Sequence, residues 1–407
     1  MKKIQCQNCN KTNLIEIYFF GYHPTVNDFK SNTDKDEITN YFPLDLYYCK
    51  SCELIQIGTQ IESSIIFPKN YSYRSGTTNI LKKNFKDLLN QINKFKLIKK
   101  NELIVDIGSN DGTLLENFKN NYRICGIEPT DVYKLALARG IKTINSPIND
   151  KVANYIIAKY GKAKIITAAN VFAHIQNVNQ IIKVIKKMLK PNGVFISENT
   201  YAMSLFSSLQ YDTVYHEHLR YYTLRSLIKI FHKNNLEIFR VEKIPTHGGS
   251  IRVYTSYKGK FSIHKSVKNM LNKEFNKKEM IKNIKLINKK YEVSKYKILQ
   301  TVLNIKLKGK SIVGISAPSR ASTLINFLGL DHKMIDYICE IKGSLKIGKF
   351  IPGTKIPVVN EEKMYFDNPD FAIVFSWHIA DELINKIRAR GFKGKFLIPL
   401  PFPKIVN

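Results

Sequence analysis

The sequence predicts an α/β chain in which a small metal-binding module precedes two open parallel-sheet units. Three observations carry that prediction. Two Cys-x-x-Cys pairs, Cys6/Cys9 and Cys49/Cys52, stand near the start. Short apolar runs alternate with helical patterns from Leu103 to Asn199, and the alternation restarts at Ser311. At 407 residues the chain is also longer than one core ordinarily holds. The expected divisions are 1–75 for the metal module, 76–295 for the first sheet unit and 296–407 for the second.

Paired knuckles of this type suit tetrahedral thiolate coordination of zinc. Four protein ligands leave no open position, so the metal is expected to be structural. The gap between the pairs exceeds that of compact ribbons, so a segment near Tyr18–Tyr47 must loop between them. Disulfides are disfavoured because Met1–Cys6 opens with charge but no apolar signal core, which makes a reducing, cytoplasmic location the expectation. Cys125 and Cys339 fall in predicted strands and should be buried.

In the first unit, Leu103–Ile107 reads as a buried strand, Gly108-Ser109-Asn110-Asp111-Gly112 as a turn, and Leu114–Phe118 as the start of a helix. Gly108 and Gly112 allow the backbone to approach a ligand closely, because no Cβ intrudes. A second strand, Arg123–Ile127, ends at Glu128, where such sheets bind ribose hydroxyls. These coupled features mark a site for a nucleoside cofactor, and the missing third glycine disfavours a GxGxxG pyrophosphate loop. Lys142–Asn145, Ile165–Ala169 and Gly193–Asn199 are further strands, with Pro191-Asn192-Gly193 as a turn before the last. Asn170 and His174 follow the fourth strand, at the sheet edge where ligands sit.

Tyr215-His216-Glu217-His218 concentrates imidazoles, a carboxylate and a phenol in four consecutive residues. Histidine titrates near neutrality, a carboxylate can orient it, and tyrosine can hydrogen-bond an oxyanion, so proton chemistry is the natural reading.

The formal charge of +31 is mostly lysine spread along the chain. Lys265–Lys310 reads as one long amphipathic helix with Val267, Met270, Leu271, Ile281, Ile284 and Ile287 on its apolar face. Aromatic residues that would stack on bases are sparse there, so no specific nucleic-acid partner is expected. No apolar run reaches membrane-spanning length, so no membrane partner is expected either.

The second unit opens with the strand Ser311–Ser316, and a helix starts in Ala317–Thr323. Met334–Cys339, Phe371–Phe375 and Phe396–Pro399 are further strand candidates, with a helical pattern between the last two. Arg320 beside a helix N-terminus suits an anion such as a nucleotide diphosphate, and a helix cap or a surface ion pair is the equal alternative.

The Asp106-x-Gly108 turn with Asn110-Asp111-Gly112 and Glu128 resembles class I S-adenosylmethionine (SAM) methyltransferases. Over nearly its whole length the chain also resembles the sugar C-methyltransferases acting on nucleotide-linked 4-keto-6-deoxyhexoses. Further motifs carry this second likeness: Tyr71–Ser75, Ala169–Ile175, Tyr215–His218, Pro245–Arg252 and Lys349–Val358. That family has a zinc module, a Rossmann-like SAM domain and a Rossmann-like C-terminal domain in this order.

The resemblance implies a catalytic set of His218 as general base with Tyr215, Glu217, His174 and Tyr71 beside it, Tyr71 being the first tyrosine of a Tyr-x-Tyr motif. It implies SAM binding by Asp106, Gly108 and Glu128, and Asn110, Gly112 and Asn170 join them at the same edge. The expected cofactors are SAM and a structural zinc ion on Cys6, Cys9, Cys49 and Cys52, and the expected partner is a small nucleotide-sugar substrate. The alternatives are an O- or N-methyltransferase on a related sugar nucleotide and a zinc-containing nucleic-acid-binding protein.

Overall fold

The computed structural model describes residues 4–31, 38–66 and 74–407. Three sheets organise them. Leu14–His23 and Phe42–Cys49 form a long antiparallel pair, extended by Ile55–Ile57 and then by Arg220–Tyr221 from much later in the chain. The expected loop between the cysteine pairs is therefore largely this hairpin. Its late fourth strand ties the stretch after His218 to the metal module.

The second sheet has seven strands in the order Leu236–Ile244, Ser250–Tyr257, Leu189–Thr200, Ala163–Ala169, Leu103–Ile107, Arg123–Ile127 and Thr143–Ile144. The strands from Leu189–Thr200 to Thr143–Ile144 are parallel, and the two outer ones are antiparallel additions. Leu103–Ile107 lies between Arg123–Ile127 on one side and Ala163–Ala169 on the other, so the order reverses there and opens a crevice at the carboxyl ends. All five residues of that strand are buried, which explains its unbroken apolar run apart from Asp106.

The third sheet has six strands in the order Val358–Asn360, Ile338–Glu340, Ile312–Ile315, Phe371–Val374, Lys395–Ile398 and Lys404–Val406. It is parallel except at the last strand. Its own reversal falls at Ile312–Ile315, beside the helix Ser319–Leu328.

Three expectations are corrected. Lys265–Lys310 is not one helix but two, Lys265–Leu271 and Lys277–Leu307. Asn276 caps the second, its side chain accepting from the Lys278 and Glu279 N–H groups while Glu279 caps in return, a stronger local preference than continuation. Ile281 is exposed, because the buried face runs through Met280, Ile284, Ile287 and Tyr291. Pro191-Asn192-Gly193 bulges out within the strand Leu189–Thr200 rather than preceding it, since Ala163 pairs with Leu189 and Ile165 already pairs with Val194.

Cys125 and Cys339 are buried, as expected. Among the described residues no helix is long and apolar enough to cross a membrane.

Candidate active site

The metal-binding residues are brought together. The Sγ atoms of Cys6, Cys9, Cys49 and Cys52 all lie within 4.8 Å of one another. Cys6 and Cys52 approach to 3.3 Å and Cys9 and Cys49 to 3.6 Å. A tetrahedral zinc with ~2.3 Å Zn–S bonds sets its sulfurs about 3.8 Å apart, so the four thiols fit the ion with small adjustment. Both pairs sit in tight turns, with the Asn10 and Glu53 N–H groups closing onto the Cys6 and Cys49 carbonyls at 2.9 and 2.8 Å.

The cofactor turn is built as its glycines require. Gly108 has φ +68° and Gly112 φ +79°, and a Cβ on Gly108 would meet the Val171 side chain at 2.4 Å. The Asn110 N–H donates to Glu128 at 3.0 Å, and the Thr130 N–H and hydroxyl donate to the other Glu128 oxygen at 2.9 and 2.6 Å. Glu128 thus holds the turn in shape. Asp106 is buried, accepts the Thr167 hydroxyl at 2.6 Å, and is pushed up to about 7 by burial, with Glu128 and Glu198 adding to the rise. Asn170 takes a left-handed backbone at φ +57°, and its buried Oδ1 has no hydrogen-bond partner among the described residues. An unsatisfied acceptor beside such a turn fits the ammonium and hydroxyl donors of SAM.

Ser75 and Gly76 cross over this turn, their N–H groups donating to Asn110 and Asp111 at 2.8 and 3.0 Å. Tyr71 and Tyr73 of the expected Tyr-x-Tyr motif lie outside the described residues.

Of the residues expected to handle protons, Tyr215 and His174 lie beside His218. Its Nδ1 donates to the Thr213 carbonyl at 2.9 Å, since a carbonyl can only accept. In the neutral ring Nε2 therefore carries the lone pair, and the Tyr215 hydroxyl lies 3.1 Å from it. The His174 ring is centred 4.9 Å from that of His218. Both imidazoles are held well below the usual histidine range, first by burial, and His218 further by His174, His247 and Arg320. Glu217 is buried and accepts from the Asn27 side chain of the metal module. His216 points away and bonds the Pro43 carbonyl at 3.2 Å.

Apart from Arg320, the other contributors were not anticipated. His247 sits at φ +53° with its buried Nε2 unpartnered among the described residues, and it couples to His174 and Arg320. The motif Pro245–Arg252 contained it, but no spacing singled it out. From the third sheet unit, Arg320 lies 3.6 Å from Asp212 and donates to His378 Nδ1 at 2.9 Å, while Trp377 donates its indole N–H to Asp212 at 2.8 Å. Arg320 is thus paired, but in a buried ion pair rather than at the surface. Lys346, lowered first by burial, donates to the Ala317 carbonyl at 2.5 Å and faces Glu340 and Glu217. The only tryptophan of the chain was a signal for Trp377; Lys346 had none among so many lysines.

Comparison with known proteins matches three families in chain order. A zinc binding domain matches residues 6–67, a methyltransferase domain residues 79–241, and a C-methyltransferase C-terminal domain residues 245–401. A curated relative, the C-methyltransferase NovU of Streptomyces niveus, is 27% identical over 99% of this chain and 97% of its own. Among solved structures, a SAM-dependent methyltransferase of Clostridium acetobutylicum is 16% identical with a TM-score of 0.35, covering 45% of this chain and 94% of that one. The magnesium protoporphyrin IX methyltransferase of Synechocystis PCC 6803 with bound SAM is 12% identical with a TM-score of 0.32, covering 43% and 79%. A four-thiol site, a nucleoside-cofactor crevice and a C-terminal α/β unit match those models part by part, and the chain is a SAM-dependent methyltransferase similar along its length to C-methyltransferases.

Proposed function

We propose that this enzyme methylates a nucleotide-linked keto-deoxysugar at the carbon next to the ketone, with His218 as the base that forms the enolate. The observation that carries the reading is the hydrogen bond of His218 Nδ1–H to the Thr213 carbonyl: it leaves Nε2, which accepts from the Tyr215 hydroxyl in the resting site, as the nitrogen that takes a proton once that hydroxyl turns to the substrate. A carbon acid requires such a base, whereas a sugar hydroxyl acceptor needs less help.

Bound SAM supplies an electrophilic methyl group on its sulfonium. Asp106, Gly108, Asn110, Gly112, Glu128 and Asn170 would hold that cofactor in the crevice. His218 Nε2 takes the proton beside the ketone. Tyr215, His174 or Tyr71 donates a hydrogen bond to the oxyanion that forms, and Glu217 orients the loop through Asn27. The low proton affinity of the recessed His218 keeps it neutral and ready across physiological pH. It also makes the ring a weaker base, so oxyanion stabilisation has to contribute much of the driving force. Burial of the cluster excludes water that would reprotonate the enolate.

The test is incubation with SAM and a panel of nucleoside-diphosphate-linked 4-keto-6-deoxyhexoses, read by mass and by solvent deuterium in the sugar. A methyl on carbon, with exchange at the same carbon, is expected. Methyl on oxygen or nitrogen, without exchange, would replace this reading by the O- or N-methyltransferase alternative.

A further inference from the structure

We propose that Asp212 is a positioning residue through which the C-terminal sheet unit sets the orientation of the His218 imidazole. The proposal rests on the reading of His218 as base.

Asp212 and Thr213 share the single 3-10 turn Tyr211–Thr213, all three residues buried. The Thr213 carbonyl is the acceptor that fixes His218, at 2.9 Å from Nδ1, and it also takes the Tyr221 hydroxyl at 3.0 Å. One residue earlier, the Asp212 carboxylate is 1% exposed. Its side-chain partners both come from the far side of the chain: the Trp377 indole N–H at 2.8 Å and the Arg320 Nε at 3.6 Å. The guanidinium in turn lies over the Trp377 ring, 5.5 Å from its centre, and donates to His378. Tyr211 of the same turn packs edge-on against Phe327 of the Arg320 helix, with ring centres 5.2 Å apart.

A buried carboxylate without its cation is strongly unfavourable, so Arg320 and Trp377, seated on Asp212, hold the turn in place together with the Thr213 N–H and hydroxyl bonds to the Gln210 carbonyl. If the seat loosens, Asp212 turns toward solvent, the Thr213 carbonyl moves with it, and His218 loses the acceptor that selects its tautomer. A base misplaced by about 1 Å can cost on the order of a hundredfold in rate. Neither Asp212 nor Trp377 need touch the substrate for this to hold. A residue that merely glued the units together would change the folded fraction and leave the rate per folded molecule alone.

The experiment compares wild type, Trp377→Phe, Asp212→Asn, Asp212→Ala and His218→Ala as full-length, zinc-loaded enzymes. Each is given a nucleoside-diphosphate-linked 4-keto-6-deoxyhexose in deuterated water, and deuterium uptake, kcat, KM, SAM affinity and melting are read. Trp377→Phe keeps the ring beside Arg320 but removes the N–H. It should lower kcat and exchange together on the order of tenfold, with KM and SAM affinity held within about twofold. Asp212→Asn keeps an acceptor for the indole and should recover much of what Asp212→Ala loses. If Asp212→Ala does not fold, Trp377→Phe decides alone. Wild-type kcat and exchange in Trp377→Phe, with a silent His218→Ala, would overturn this proposal and leave the base assignment standing. Exchange that persists in His218→Ala would overturn both.

Discussion

The His218 imidazole, fixed at Nδ1 by the Thr213 carbonyl, faces the His174 ring at 4.9 Å between centres. Two imidazoles this close cannot both be charged without strong repulsion, and burial already disfavours charge on either. The pair is therefore neutral in the resting enzyme, and a proton taken by one is most easily held while the other stays uncharged. That fits a site which accepts one proton and gives it up again each cycle.

Replacing His218 by alanine or asparagine should abolish methyl transfer and the exchange of the sugar proton with deuterated solvent. SAM affinity, measured by calorimetry, should remain, because the cofactor crevice lies on other residues. A variant that still exchanges its substrate proton would move the base to His174, Glu217 or Tyr215.

Tyr215→Phe removes the hydroxyl 3.1 Å from His218 Nε2 but keeps the tilted ring against the imidazole. If that hydroxyl stabilises the oxyanion, kcat should fall roughly tenfold to a thousandfold, as for loss of one such donor. A kcat within twice the wild-type value would remove Tyr215 from the donor set.

Gly108→Val should weaken SAM binding by on the order of a hundredfold or more, because the position needs φ +68° and its Cβ would already collide with Val171. Titration of wild type and variant checks it, and a wild type that prefers NAD over SAM would defeat the cofactor assignment.

Zinc analysis should find about one ion per chain, given four thiolates in one shell. Cys49→Ser should lose it and unfold the first sheet preferentially. Activity should fall too, since Asn27 and the strand Arg220–Tyr221 connect that sheet to Glu217 and His218. A metal-free enzyme with unchanged melting would exclude the site.

His23 and His216 are each 3% exposed or less, and burial lowers both from 6.5 to about 4. A histidine depressed in the folded state contributes stability that is present above the unfolded value and lost as pH falls toward the folded one. The melting temperature should therefore drop between pH 6.5 and about 4, and His23→Gln should make that slope shallower. A melting temperature flat across that range would mean these rings are protonated in the folded protein.

What the sequence determined by itself was local. Cys-x-x-Cys pairs, the strand and glycine turn at Leu103–Gly112, the acid after Ile127 and the run Tyr215–His218 carry their chemistry in spacing and residue type, so they were legible without a structure. The zinc shell needed only the hairpin Leu14–Cys49 to bring its halves together. The tertiary structure decided everything that depends on chain segments distant in sequence. Asn276 broke the expected long helix because a local cap outcompeted continuation, a choice that apolar periodicity does not register. Which nitrogen of His218 carries the proton was settled by a backbone carbonyl, which no side-chain pattern encodes. Trp377, His378 and Lys346 were ordinary residues of a second α/β unit, and Arg320 only a candidate for an anion, until folding set them against Asp212, Glu217 and the histidines. Long-range pairing of buried charges depends on how two sheets are seated against each other, and that geometry exists only once the chain has collapsed.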